Sequence, residues 1–170
     1  MTKFIFCLIV ASILFAALVP LSEAATGTRD DPYPLRTTVD LGDGWLIQVL
    51  SVCPDRTREV LDENMFNSPP ASGHQFFLAR IAAKYVGEGS SKFDGDFRLR
   101  AVGPSSVAYS TFENSPGVIP DALPDPEVFT GGIIEGNVGW EIKSTDASRL
   151  VMYDAPFLGD KEHRVYMALY

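Results

Sequence analysis

His74 and His163 are the only histidines in this 170-residue chain, and neither belongs to a His-Glu-x-x-His or His-x-x-x-His pair. The sequence therefore offers no recognisable zinc cage. Each histidine falls at the start of a predicted strand, where a solvated role is expected. Gly-x-Ser-x-Gly, Ser-x-x-Lys and Cys/His signatures are missing, which removes the motif-based case for a nucleophilic hydrolase. Gly42-x-Gly44 and Gly87-x-Gly89 lack the third glycine and the following helix that would aim amides at a phosphate. Carboxylates are the remaining chemistry. Asp94-Gly95-Asp96, with Glu88 nearby, could offer hard oxygen ligands to calcium, but the regular ligand spacing of a calcium loop is missing and an ordinary acidic turn is expected. Asp121, Asp125 and Glu127 are separated by prolines and read as a solvated loop. No residue is assigned a catalytic, cofactor-binding or metal role, and the protein is read as not an enzyme.

The elements that would hold any site read as strands. In Gly131–Lys143, Ile134, Gly136, Val138, Trp140 and Ile142 alternate with Ile133, Glu135, Asn137, Gly139 and Glu141, the period of a half-buried strand. Trp140 is expected to be a core anchor with one donor to satisfy, facing the strands Trp45–Cys53 and His74–Val86 across the core. His74–Val86 puts Phe77, Ala79, Ile81, Ala83 and Tyr85 on one face, with Arg80 and Lys84 on the other. Trp45–Cys53 puts Trp45, Ile47 and Val49 opposite Leu46, Leu50 and Val52. Shorter strands are predicted at Thr37–Leu41, Phe97–Val102, Val107–Phe112, Arg149–Tyr153 and His163–Tyr170. The single short helix is expected at Asp55–Asn64, capped by Asp55, with Val60, Leu61 and Met65 near one side. Gly42-Asp43-Gly44 should be a turn using positive φ. Asn114–Glu127 carries four prolines, cannot pair as an ordinary ladder strand, and should pass the chain from one sheet to the other. Strand signals without βαβ alternation give an all-β class, an antiparallel two-sheet sandwich, with a closed barrel as the alternative.

Met1-Thr2-Lys3, the apolar run Phe4–Val19, Pro20 and the small residues Ser22 and Ala24 read as a secretory signal peptide over residues 1–25. Residues 26–36, polar with two prolines, read as an extended N-terminal linker or arm, and 37–170 as one domain. Removing 25 of the 170 residues takes away one Lys and one Glu, so the net charge of −8 is unchanged. An acidic chain argues against nucleic acid or an anionic membrane as partner. Cys53 is the one cysteine left, so no internal disulfide can form, and it is expected as a small core filler.

Four pieces together resemble a known family: Gly27-Thr28-Arg29-x-x-Pro32-x-Pro34-Leu35, Trp45, Phe66-Asn67-x-Pro69-Pro70-x-x-Gly73, and Gly131-Gly132 leading to Trp140-Glu141-Ile142. The chain resembles the bacterial domain-of-unknown-function family 4352, secreted or lipid-anchored immunoglobulin-like sandwich domains similar to a secreted mycobacterial antigen. The resemblance covers almost the whole chain after the signal and brings no catalytic residues with it. Arg36 stands where a glycine would be expected, and no lipid-attachment cysteine follows the apolar run. The resemblance thus implies an immunoglobulin-like sandwich released outside the cell. The expected function is a non-enzymatic module binding an unknown extracellular or envelope protein or glycan, with no membrane span after cleavage and no cofactor. Phe66–Gly73 and Asn114–Thr130, stiffened by proline, are the loops best able to make contacts. A hydrolase of cell-wall or glycan substrates using scattered carboxylates, or a small-ligand carrier, are the alternatives.

Overall fold

The computed structural model describes residues 25–155 and 164–170. His163 and nearly all of the expected signal peptide lie outside the described residues. Two four-stranded antiparallel sheets pack face to face. The first runs β1–β2–β3–β8, built from β1 (Thr38–Asp40), β2 (Trp45–Cys53), β3 (His74–Tyr85) and β8 (Ile133–Lys143). The second runs β10–β9–β5–β6, from β5 (Leu99–Val102), β6 (Ala108–Ser110), β9 (Val151–Asp154) and β10 (Tyr166–Ala168). A small pair, β4 (Ser90–Ser91) with β7 (Val128–Phe129), lies apart from both. Among the described residues no ladder joins the two main sheets, so the architecture is a sandwich and not a closed barrel.

The long strands bury the faces their alternation assigns. Phe77, Ala79, Ile81, Ala83 and Tyr85 of β3 and Ile134, Val138, Trp140 and Ile142 of β8 meet Leu99, Ala101, Met152, Met167 and Leu169 of the opposite sheet in one core. Trp140 is not across the core from β2 and β3, as expected, but in their sheet. It pairs directly with Phe77 of β3, because β8 adds to the edge of β3 and turns its apolar face toward the second sheet. Gly42 and Gly44 take φ of 82° and 87°, as the turn requires.

β2 departs from simple alternation. Its register against β3 shifts by one residue between Val49 and Ser51, a β-bulge that reverses the inside-outside order beyond it. Val52, expected on the face of Leu46, therefore packs on the main core. Cys53 turns to a satellite cluster with Val60, Phe76 and Leu78 and is half-buried there. The chain entering β1 supports the bulge: Arg36 N–H donates to the Val49 carbonyl at 2.8 Å. Arg36 does so with φ of 66°, a conformation that favours the glycine the family resemblance expects at this position.

The helical content exceeds the single helix expected. α1 (Thr57–Glu63) begins one residue later than Asp55 could cap. The Asp55 carboxylate instead accepts the Thr57 N–H at 3.1 Å in a local turn, and the N-cap position falls to Arg56. Val60 is buried under α1, while Met65 lies beyond the helix and is 87% exposed. A second, four-residue helix, α2 (Gly95–Arg98), takes the first two residues of the predicted strand Phe97–Val102. Ser144–Arg149 forms a 3-10 segment, taking Arg149 out of the predicted strand Arg149–Tyr153.

Before it reaches β2 at Arg36, the N-terminal segment runs beside β10 of the second sheet. Tyr33 forms a parallel bridge with Met167, donating to Tyr166 O at 2.9 Å and accepting from Ala168 N at 2.8 Å. The segment is an arm that covers the β10 edge, which would otherwise present unpaired amides.

Candidate functional site

The sequence singles out two proline-stiffened loops, and the fold brings them together on the outside of β8. Asn67 joins them. Its Nδ2 donates to the carbonyls of Val60 at 2.6 Å and Val118 at 2.7 Å, and its Oδ1 accepts the Val118 N–H at 2.9 Å. One side-chain amide thus pairs with Val118 as a strand neighbour would. Gly117 makes the approach possible: its φ is 88°, and a Cβ there would sit 2.3 Å from Asn67 Oδ1. Asn67→Ala should remove three hydrogen bonds and cost about 1–3 kcal/mol. The expected readout is a thermal midpoint lowered by roughly 3–9 °C, with the secondary structure intact.

The Asn114–Glu127 crossover then follows the free edge of β8. Pro116 lies over Gly139 on the outer face, and farther on the backbone of Leu123 occupies the space a Cβ on Gly136 would fill, 2.5 Å from its Cα. Proline prevents a continuous ladder, so pairing is confined to points where an amide is free. Leu123 N–H donates to Asn137 O at 2.8 Å, Asn137 N–H to Asp121 O at 2.7 Å, and Glu141 N–H to Asn114 O at 2.7 Å. An open groove of about 500 Å³ remains between the crossover and the outer surface. Pro116, Val118, Ile119 and Leu123 line its apolar side, Phe112 stands at its wall, and Asp94 and Asp125 line its acidic side. Phe112 and Val118, which line this groove, are 66% and 51% exposed, and Met65 and Phe66, just before Asn67 in the chain, are 87% and 85% exposed, apolar surface of the kind that marks interaction sites.

The acidic residues divide differently from the sequence clusters. Asp94 and Asp125, from separate clusters, meet at the groove: Asp125 Oδ1 accepts the Asp94 N–H at 3.2 Å and its Oδ2 lies 3.7 Å from Lys92 Nζ. Asp121 faces Arg80 at 3.8 Å, Glu127 accepts from Ser90 Oγ at 2.6 Å, and Glu88 is exposed. Among the described residues no three metal-ligating side chains converge. His74 is half-buried at the start of β3, with Nδ1 3.3 Å from Ser72 O.

Two buried polar centres escaped the sequence reading, and both are structural. Arg98, within the predicted strand Phe97–Val102, is 5% exposed. It makes a two-pronged contact with Asp154, Nε to Oδ1 at 2.6 Å and Nη2 to Oδ2 at 2.7 Å. Asp43 adds a contact at 2.9 Å, and the guanidinium lies 5.0 Å from the Phe93 ring centre. Burial opposes the Arg98 charge, but the bonds and charges of Asp154 and then Asp43 outweigh it and raise its pKa. Asp146, 1% exposed, accepts from Ser105 N–H at 2.9 Å, from Ser105 Oγ, and from Tyr109 Oη at 2.6 Å. Burial alone would push the Asp146 carboxyl up; the Ser105 and Tyr109 bonds prevail and hold it below the usual carboxylate value. A carboxyl with a depressed folded-state pKa stabilises the fold fully above its unfolded value of about 4. That contribution is lost as pH falls through the lower folded value. Thermal midpoints measured from pH 7 to 2 should therefore fall in acid, and Asp146→Asn should flatten that part of the fall.

No protein-family model matches the chain, and no curated protein matches it. Solved structures do, at the level of the fold. The secreted protein MPT63 of Mycobacterium tuberculosis is similar over 81% of this chain and 97% of its own, with a TM-score of 0.57 and 12% identity. The yjhA protein of Bacillus subtilis is similar over 81% and 98%, with a TM-score of 0.52 and 13% identity. A presumed lipoprotein of Bacillus subtilis, ycdA, matches 78% of this chain at a TM-score of 0.55 and 13% identity, and the match spans only 38% of that longer protein. The chain is therefore an all-β protein of antiparallel sheets, similar in fold to these three. Among the described residues no helix is long and apolar enough to cross a membrane.

Proposed function

We propose that the chain is a secreted, non-enzymatic binding module whose contact surface is the loop face held together by Asn67. The observation that carries this reading is the stapling itself: two loops 51 residues apart are locked by paired hydrogen bonds while the apolar side chains around them stay exposed. Such a surface is organised before it meets a partner, so little ordering entropy opposes association. Its apolar centre with a polar rim has the composition of a protein-binding patch. The signal-like leader and the structural likeness to MPT63 support an extracellular or envelope setting. The carboxylates beside the groove fit this role better than hydrolysis, because Asp125 commits both oxygens to the Asp94 amide and Lys92. A carrier would need an apolar interior with room for a ligand, and here Trp45, Trp140, Phe77, Ile81 and Met152 fill the space between the sheets.

The test is crosslinking pull-down from culture supernatant and envelope extract with the wild type and a Phe66→Ser/Val118→Ser variant. A partner retained by the wild type, released by the variant and kept by a Lys84→Ser control, exposed at the far end of β3, supports the assignment. Retention of nothing, or equal retention by all three proteins, would overturn it.

A further inference from the structure

The net charge of −8 is not spread evenly over the molecule. Arg56, Arg58, Arg80 and Arg98 each have a carboxylate within reach. None of the other five arginines forms an ion pair with a described carboxylate; Arg36 lies against β2 of the first sheet, whereas Arg29, Arg100, Arg149 and Arg164 belong to the opposite side of the sandwich. β5, β9 and β10 place Arg100, Tyr153 and Tyr166 in a single cross-strand row on the outer face of the second sheet, because directly opposed residues point the same way. Arg164 stands over this row, its guanidinium 5.2 Å from the Tyr153 ring centre. Arg29 reaches in from the N-terminal arm and is held by Gly103 O and Ser106 Oγ, both at 3.0 Å. Arg29 and Arg149 then flank an open depression of about 480 Å³, in which Asp30 is the one acidic side chain. The Tyr153 hydroxyl registers the same grouping: burial pushes it up, while the charges of Arg164, Arg100 and Arg29 pull against that rise.

We propose that this arginine strip is a binding site for a polyanionic chain, an acidic polysaccharide. Four guanidiniums without a carboxylate partner among the described residues, with Arg29 and Arg164 already held by backbone, hydroxyl and ring contacts, leave planar N–H forks for carboxylate or sulfate groups. The strip is narrow and the rest of the molecule is acidic. A flexible chain can follow the strip and avoid the repulsive surface, whereas a flat anionic membrane would face both at once. Single-stranded nucleic acid binds through a succession of open aromatic faces, and this surface does not supply them: Tyr153 is 5% exposed beneath Arg164, and Tyr170 at the depression is the one exposed aromatic side chain among the described residues of the strip. This site is separate from the stapled loop face.

Binding of the purified protein to fluorescent polygalacturonate, at about 50 mM and about 200 mM salt, tests the proposal. Neutral dextran, single-stranded DNA of matched charge and phosphatidylglycerol vesicles are the comparison probes. Polygalacturonate should bind, lose affinity at the higher salt, and lose about 10-fold or more with Arg29→Ser/Arg149→Ser. Arg58→Ser, which removes a basic residue elsewhere, should leave binding unchanged. Both strip positions are exposed, so an unchanged thermal midpoint will show that the double variant is folded. The assignment is overturned by absence of binding at low salt, by equal losses in the Arg58 variant, or by DNA or vesicles binding as tightly as polygalacturonate.

Discussion

Asp154→Ala should destabilise the protein by about 3–5 kcal/mol, nearer the lower figure because Asp43 stays beside Arg98. The reason is asymmetry. The Arg98 and Asp154 side chains are 7% and 6% exposed, so removing one partner leaves a charge in a setting that disfavours it, whereas removing both does not. Arg98→Met/Asp154→Leu should accordingly recover most of the loss and come within about 1–2 kcal/mol of wild type or exceed it. Urea denaturation with a constant m-value is the measurement. A double variant as unstable as the single one would show that the pair does more than cancel its own charges. Such a result would point to the geometry it imposes: Arg98 ends α2, its carbonyl accepts the Ala155 N–H at 2.8 Å, and the pair ties the start of β5 to the end of β9.

Trp140→Ala should cost about 3–5 kcal/mol, since the ring is fully buried between Phe77 in its own sheet and the facing side chains of the other. Trp140→Phe separates packing from polarity. Among the described residues Trp140 Nε1 is the one buried side-chain nitrogen or oxygen without a hydrogen-bond partner, and a buried donor left unpaired carries a penalty of about 1–3 kcal/mol. Phenylalanine loses volume but also removes that donor, so its net cost should stay below about 1.5 kcal/mol. Chemical denaturation followed by far-ultraviolet circular dichroism reads both variants without relying on tryptophan fluorescence. A phenylalanine variant as unstable as the alanine variant would mean that the indole nitrogen has a stabilising role.

No family model bears out the resemblance to family 4352, and the structural similarities support its sandwich architecture alone. The motifs indicated a secreted sandwich family, and similarity to MPT63 and yjhA is observed at identities of 12% and 13%, which carries architecture alone. The motif residues nevertheless have clear structural duties. Asn67 joins the loops, Gly27 takes a φ of 73° in the arm, and Gly132 and Gly131 link the β8 entry to Tyr85 through hydrogen bonds of 3.0 and 2.7 Å.

What the sequence determined by itself is the all-β class, the apolar faces of β3 and β8, the turn at Gly42–Gly44 and the loops that could carry contacts. These depend on local alternation and backbone preference, which are written residue by residue along the chain. Tertiary structure decided the rest, because the deciding contacts link residues far apart in sequence. The bulge in β2 sends Val52 into the core through a register set by β3. Arg98 looked like a surface charge until β9 supplied Asp154, 56 residues away. Asn67 was visible as part of the Phe66–Gly73 motif, but its partner Val118 was not. The arginine strip is the furthest from legible: the net charge argued against nucleic acid and anionic membrane, and only folding gathers four arginines from the arm, β5, the 3-10 segment and the approach to β10 onto one face, where Coulomb forces act on distance and not on totals.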